Sequence, residues 1–245
     1  MICGMRSLLR ALAITAAAAP LAHASPLLGE ALAADPLPIP KVYLLYPGPR
    51  GTIFDVGCEA LVKTPINPVA VEEAVRRAPE LQALWDRGGP EYLAITFAEI
   101  GVPFPYKEMP AALTVCPGVR SMSTPLMLNV RRFLSSAQRR DPDWLFVETV
   151  YHELMHTYVR PVSAVSELRK KYATEDAVVL NHLHVMALER LVLSKLERAD
   201  YLKRIGDDYR TQLAPAHKRA WTIVDEIEGH EPFIKELKEL ASRQR

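Results

Sequence analysis

The chain has 245 residues, of which 49% are hydrophobic and 24% charged, and it contains 20 prolines and 11 glycines. This balance is typical of a globular protein and excludes a disordered chain, a collagen and a small disulfide-rich protein. The formal net charge of +1 excludes the strongly basic surface that is typical of nucleic-acid-binding proteins.

Residues 1–24 have the three regions of a secretory signal peptide. Arg6 and Arg10 form a basic start, an apolar run follows, and Ala-His-Ala at residues 22–24 is a small-x-small cleavage site. The uncharged stretch from residue 11 to residue 22 is shorter than the ~20 residues that a membrane-spanning helix needs. We therefore predict an exported protein, periplasmic or secreted, with no stable membrane span. A second small-x-small site at residues 31–33 leaves the cleavage position open.

The cysteines fit this prediction of export. Removal of residues 1–24 leaves two of them, Cys58 and Cys116. An even pair in an oxidising compartment predicts one disulfide bond. Two buried free thiols are the alternative.

A Pro/Ala-rich leader at residues 25–40 precedes a single α+β domain at residues 41–245. In the first part of this domain, residues 41–136, short apolar segments predict strands at 41–46, 52–56, 112–116 and 125–134. Asn67 followed by Pro68 predicts a helix start, and Pro79 and Pro90 each predict the start of another short helix. The segment 125–134 is expected to form a sheet edge on which an extended peptide can lie.

The second part of the domain, residues 137–245, has the pattern of successive helices. They are predicted at 142–159, 163–172, 174–198, 215–228 and 232–245. A small N-terminal sheet with short helices, followed by a helical C-terminal half, indicates the α+β class and not alternating α/β. The arginine pairs Arg76-Arg77 and Arg131-Arg132 are predicted to lie on solvated faces.

The helix at 142–159 carries the motif His152-Glu153-Leu154-Met155-His156. Asp141 is its predicted N-cap, and Pro161 is predicted to end it. Two histidines at positions i and i+4 lie on one helix face, so both imidazoles can bind a single Zn²⁺. The intervening Glu153 can then take a proton from metal-bound water.

The motif is specific. With 7 histidines and 19 glutamates in the chain, the pattern H-E-x-x-H is expected by chance only about 0.015 times. At these residues the chain resembles the zincin metallopeptidases, whose motif is H-E-x-x-H on an active-site helix. The resemblance implies that His152 and His156 are zinc ligands and that Glu153 is the general base.

The third zinc ligand distinguishes groups of zincins. The metzincin pattern requires a glycine and a histidine where this chain has Val159 and Val162, so that group is disfavoured. A gluzincin-like arrangement needs a glutamate on a later helix, and Glu175 follows His156 by nineteen residues. Glu175 is therefore the predicted third ligand. The competing residues are Glu167, Asp176, His182 and His184.

The sequence predicts a catalytic role for His182. It follows Glu175 by two helical turns and so lies on the same predicted helix face. There it can donate a hydrogen bond to an oxyanion or orient a ligand. A core histidine that bonds to the backbone or to Asn181 is the alternative.

These observations predict an exported zinc-dependent hydrolase that acts on a peptide or protein substrate. Glu153 activates the metal-bound water in this hypothesis, and Zn²⁺ is the cofactor. The alternative is a zincin-like metal-binding module of the cell envelope that does not turn over peptides.

Overall fold

The computed structural model describes residues 35–46, 53–137, 140–211 and 214–243. The predicted signal peptide at 1–24 and most of the leader, to residue 34, lie outside these residues. A compact unit spans Pro36–Arg245. Leu37 packs against its hydrophobic core and Pro40 is buried, so the last residues of the predicted leader belong to the folded unit.

The sheet has four strands: β1 Lys41–Leu45, β2 Glu108–Thr114, β3 Met122–Ser123 and β4 Leu126–Asn129. Their order is β1-β2-β4-β3, in which β1, β2 and β4 are parallel and β3 is antiparallel to β4. The expectation that segment 125–134 is the sheet edge is wrong, because β4 is paired on both sides. The edge strand next to β4 is β3. A 3₁₀ turn at Arg131–Phe133 follows β4.

The segment 52–56, predicted as a strand, enters helix α1, Ile53–Val62. Asp55 and Cys58 are three residues apart and therefore share one face of that helix. Asp55 accepts hydrogen bonds from Thr114 and from the Val115 backbone at the end of β2, and Cys58 forms a disulfide with Cys116. The helix is thus held by contacts far along the chain, and the predicted disulfide is confirmed.

Helix α2, Pro68–Ile100, is continuous, whereas three short helices were predicted. Its start is as predicted, because Asn67 Oδ1 accepts the N–H of Val69 at 3.0 Å. Pro79 and Pro90 lie inside the helix and interrupt its hydrogen bonding, but residues on both sides of them are buried in the same core. Continuous packing outweighs the local cost of each proline.

Helices occupy most of the described C-terminal half, as predicted, and the α+β class is confirmed. They are α3 Asp143–Ser163, α4 Glu167–Lys171, α5 Ala177–Lys195, α6 Ala199–Thr211, α7 Pro215–Thr222 with a π-helical turn at Ile223–Ile227, and α8 Glu231–Ser242.

Two boundaries of α3 and one whole helix differ from the predictions. The N-cap of α3 is Pro142, not Asp141, whose carboxylate instead pairs with Arg132. The helix also continues through Pro161 to Ser163. Helix α6 was not predicted, although it contributes to the site described below.

Helix α5 is the centre of the molecule. It contacts α2, α3, α6, α7 and α8, and it is long and apolar enough to cross a membrane by length and composition alone. However, 67% of its most apolar window is buried inside the fold, and a core helix meets the same criteria as a membrane span. Helix α5 is the central packing element against which α3 lies.

Candidate metal centre

Helix α3 brings His152 and His156 together as the motif predicted. The two residues share a face one turn apart, and their Nε2 atoms are 3.2 Å from each other. The neighbouring Tyr151, Leu154 and Met155 are fully buried. This packing fixes the rotation of the helix, so the two imidazoles are held toward the same point.

His182 on α5 supplies a third imidazole. Its ring centroid is 5.3 Å from that of His152 and 4.7 Å from that of His156. The ligand atoms of the three histidines all lie within 4.8 Å of one another, so these residues could hold a metal ion. The sequence prediction placed His182 at the site but gave it a catalytic role instead of a ligand role.

The orientation of the His182 ring suits a ligand. Its Nδ1 is 2.6 Å from the carbonyl oxygen of Val178. Because that carbonyl can only accept, Nδ1 carries the proton and Nε2 keeps its lone pair. The ring is therefore held in the tautomer that binds a metal through Nε2.

Glu175, the predicted third ligand, is not part of the histidine group. It lies before Asp176, the N-cap of α5, and its Oε1 accepts hydrogen bonds from Arg219 Nε and Nη2 at 2.8 and 2.6 Å. Two charge-assisted hydrogen bonds from one guanidinium to this carboxylate compete with its binding to a metal. The prediction of Glu175 as ligand is corrected to His182.

The other competing residues have structural partners. Asp176 caps α5 by accepting the N–H of Val178 at 2.7 Å, and Glu167 accepts from Lys170 at 2.6 Å on the surface. His184 lies on the other side of α5, where its Nε2 is 2.7 Å from Glu236 Oε2.

A buried carboxylate that the sequence analysis missed orients His152. Glu189 Oε1 is 2.5 Å from His152 Nδ1, and Tyr209 donates to Glu189 Oε2 at 3.1 Å. Metal-binding histidines commonly have such a partner on the second ring nitrogen, which fixes the ring and raises its basicity. Glu189 follows His182 by two helical turns, and a lone acidic residue on that face of an apolar helix is the pattern that could have identified it.

A second group of possible ligands, Glu148, His152 and Glu189, lies beside the first. The distance of 2.5 Å between His152 Nδ1 and Glu189 Oε1 is that of a hydrogen bond. Two ligands of one zinc ion at bond lengths of 2.0–2.1 Å lie roughly 3.3 Å apart. The histidine group is therefore the better-formed metal site.

Glu148 lies next to Glu189, and its environment favours the protonated form. Burial raises the pKa of Glu148 well above its usual range, and the nearby charge of Glu189 raises it further. Burial likewise raises the pKa of Glu189 to about 7, although its hydrogen bonds with Glu148 and Tyr209 oppose this. Two buried carboxyls this close together favour sharing one proton over carrying two charges.

Burial favours the neutral form of three imidazoles at the site, those of His156, His182 and His217. Burial, reinforced by the neighbouring imidazoles, lowers the pKa of His156 to about 3 and that of His182 to about 2. Burial and the charge of Arg120 lower the pKa of His217 to about 4. At neutral pH these rings have lone pairs available, which is the form that binds a metal.

Glu153 lies next to the histidines on the wall of a cavity of about 470 Å³. Its side chain is buried, and burial together with the charge of Glu148 raises the pKa of Glu153 to about 7, although His152 opposes the shift. The cavity also reaches Asn129 at the end of β4, Tyr209 on α6 and His217 on α7. A carboxyl group thus sits where a bound molecule would meet the histidine group.

His217 is a further residue that the sequence analysis missed. Its ring centroid is 4.3 Å from that of His182, and its Nδ1 is buried without a hydrogen-bond partner among the described residues. His217 lies near the start of α7 and has no second histidine at the spacing of metal ligands. The sequence therefore contains no motif that identifies it.

No protein-family model, no curated protein and no solved structure matches this chain, so its own residues carry the argument about function.

Proposed function

We propose that this protein is an exported zinc-dependent hydrolase of the zincin type that cleaves peptide bonds. The observation that carries the proposal is the convergence of His152, His156 and His182, of which His152 lines a cavity together with the carboxyl group of Glu153. The two helices α3 and α5 that supply these residues contact each other. Their packing holds the three rings in place.

The donor set fits zinc. Three imidazole nitrogens with one open position are the protein ligands of many catalytic zinc sites, whereas Mg²⁺ and Ca²⁺ prefer oxygen. The His152 Nε2 to His156 Nε2 distance of 3.2 Å is close to the roughly 3.3 Å expected between two ligands of a tetrahedral zinc ion. Zinc bound here would lower the pKa of its water ligand toward ~7.

Glu153 has the position of a general base. It is the residue after His152, it lies on the cavity wall, and it has no hydrogen-bond partner among the described residues that would neutralise it. A carboxylate in this position accepts a proton from the attacking water and returns it to the leaving amine. Glu189 meanwhile keeps the Nδ1 proton of His152 in place.

The sheet edge supports a peptide substrate. Strand β3 pairs only with β4 among the described strands, and it contacts α3. Its outer edge therefore offers backbone N–H and C=O groups to an extended chain, which is a common mode of peptide recognition. This edge takes the place of the one that was expected at 125–134.

The disulfide supports export. Cys58 and Cys116 are bonded, with Cα atoms 5.8 Å apart. Disulfides persist in oxidising compartments such as the periplasm and the extracellular space. The periplasmic or secreted localisation therefore remains our proposal, together with the signal peptide at 1–24.

The experiment is a peptide-library digest with and without a zinc chelator, run on the wild type and on Glu153→Gln. We expect chelator-sensitive cleavage by the wild type, and a loss of hydrolysis by about 10² to 10⁴ in Glu153→Gln with full zinc content. Glu167→Gln is the control, since Glu167 is exposed on α4.

Each other outcome has a defined meaning. If the wild type keeps zinc but cleaves no peptide under any condition, the protein is a metal-binding module of the envelope and the hydrolase proposal fails. If Glu153→Gln loses zinc together with activity, Glu153 is structural.

A further inference from the structure

The cavity beside the histidine group has charged residues at two depths. Arg120, Arg131 and Arg132 line it and are exposed, whereas Glu148 and Glu153 line it and are buried. The arginines therefore lie toward the mouth of the cavity and the glutamates toward its floor. Arg131 and Arg132 are exposed to solvent, as predicted, and they also line this cavity.

The aspartates of the same cavity already have cationic partners. Asp141 pairs with Arg132, and its Oδ1 is 3.3 Å from Arg204 Nη2. Asp208 Oδ2 accepts from Arg204 Nε at 2.9 Å. Two carboxylates are thus matched by two guanidinium groups, and neither aspartate is left to neutralise a further arginine.

Arg120 and Arg131 have no such partner. Within the described part of the chain neither side chain makes an ion pair or a hydrogen bond. Arg120 lines the same cavity as His152 and His217, and the ring centroid of His217 is 4.3 Å from that of His182. Unpaired positive charge in a concave site attracts anions more strongly than the same charge on open surface.

We propose that Arg120 and Arg131 bind a carboxylate of the substrate, so that the protein selects acidic peptides. The inference rests on the proposed function, of which it names the substrate class. A guanidinium matches a carboxylate with two parallel hydrogen bonds. That carboxylate has two sources, the side chain of an aspartate or glutamate and the free C-terminus of a peptide.

A binding assay separates this proposal from the question of turnover. The protein is Glu153→Gln, in which cleavage is suppressed. The probes are four octapeptides of alanine and leucine, labelled with an uncharged boron-dipyrromethene dye that has no carboxylate, with a central glutamate or a central glutamine and with a free or an amidated C-terminus. Fluorescence anisotropy gives the Kd of each probe. Tighter binding with a central glutamate identifies a side-chain carboxylate as the source, and tighter binding with a free C-terminus identifies the terminal carboxylate.

We expect a carboxylate-bearing probe to bind about tenfold more tightly than the probe that lacks both carboxylates. Adding Arg120→Gln or Arg131→Gln should reduce that preference about threefold or more, and the double change should abolish it. Arg76→Gln is the matched control, since Arg76 is exposed and does not line the cavity. Arg120→Glu combined with Arg131→Glu should reverse the preference toward a probe with a central lysine.

Equal affinity for all four probes, no binding of any probe, or a preference that survives the double change would overturn the proposal. Selective binding of acidic probes without chelator-sensitive cleavage by the wild type would instead overturn the proposed hydrolase function and leave the carboxylate site in place.

Discussion

Helix α5 carries two histidines, His182 and His184, whose surroundings are opposite in kind. Residues two positions apart in a helix project about 200° apart, so one ring joins the metal-binding group and the other faces α8. His182 bonds only through Nδ1, to its own helix, and keeps Nε2 available. His184 Nε2 is bound to Glu236.

The region around Glu236 is saturated with hydrogen bonds. Its Oε2 accepts from Ser166 Oγ at 2.6 Å as well as from His184, and its Oε1 accepts the backbone N–H of Glu167 at 2.6 Å. This cluster connects α4, α5 and α8, and both carboxylate oxygens of Glu236 accept hydrogen bonds in it. The comparison teaches that a buried histidine points to function when one ring nitrogen is left available, and to structure when a carboxylate occupies it.

The largest effect on zinc affinity should come from removing the His182 ring, whose Nε2 is available. His182→Ala should weaken zinc binding by about 10³-fold, since structural zinc sites gain ~10–16 kcal/mol from four ligands and one ligand is lost here. Competition with a chelating dye measures the affinity. Glu175→Ala is the control and should keep zinc, because Glu175 pairs with Arg219. Equal losses in both variants would contradict the assignment of His182.

A change in the hydrogen-bond cluster around Glu236 should lower the stability of the fold instead of the zinc affinity. Glu236→Ala should lower the free energy of unfolding by about 3 kcal/mol, because it leaves buried donors without an acceptor. Denaturant unfolding followed by circular dichroism measures this, and Glu239→Ala, an exposed neighbour on α8, should change stability by less than about 1 kcal/mol. If Glu236→Ala lost zinc affinity but kept its stability, the assignment of the Glu236 region to a structural role would be contradicted.

Glu189 should behave as part of the metal-binding region despite having no direct role as a ligand. Glu189→Gln removes the charge that orients His152, and we expect zinc affinity to fall about 10- to 100-fold. The same dye competition measures it, with Glu197→Gln as control, since Glu197 is exposed and lies just after α5. Unchanged affinity would show that the helix alone orients His152.

The smallest effect concerns a structural carboxylate remote from both regions. Burial would raise the pKa of Glu73, but the backbone N–H groups of Ser135 and Ser136 outweigh it and lower the pKa to about 2. A carboxylate with a lowered pKa stabilises the fold above its unfolded pKa of about 4.5, and this stability is lost as the pH falls toward 2.

Glu73→Gln should therefore cost roughly 1–2 kcal/mol near pH 7 and weaken the decline in stability between pH 4.5 and 2. Denaturant midpoints across that pH range measure it. The exposed neighbour Glu72, changed in the same way, should leave the pH profile as in the wild type. A profile unchanged in Glu73→Gln would assign the acid sensitivity to other carboxylates.

The sequence predicts the α3 side of the site because the information there is local. The two proposed ligands on α3 and the proposed base lie within five residues on one helix, and their spacing is sufficient to identify them. The proposed third ligand is on another helix, so its identity depends on how α3 and α5 pack. Glu175 has the spacing from His156 that a gluzincin-like ligand requires. In the structure, however, Arg219, forty-four residues later, donates a hydrogen bond to the Glu175 carboxylate.

Fold predictions failed for a related reason. The start of α2 at Asn67 was correct because an N-cap is a local interaction. The breaks expected at Pro79 and Pro90 were wrong because burial on both sides of each proline is a property of the assembled core. Helix α6 was missed, and with it Tyr209, whose hydroxyl supports Glu189.

The disulfide at Cys116 has a consequence for redesign. Residues 117–121 run from this covalent anchor to β3 and include Arg120 on the cavity wall. A surface segment held at both ends tolerates substitution better than the helices that carry the imidazoles, because few core contacts depend on its side chains. It is therefore the place where new substrate preferences can be engineered while the metal-binding helices stay untouched.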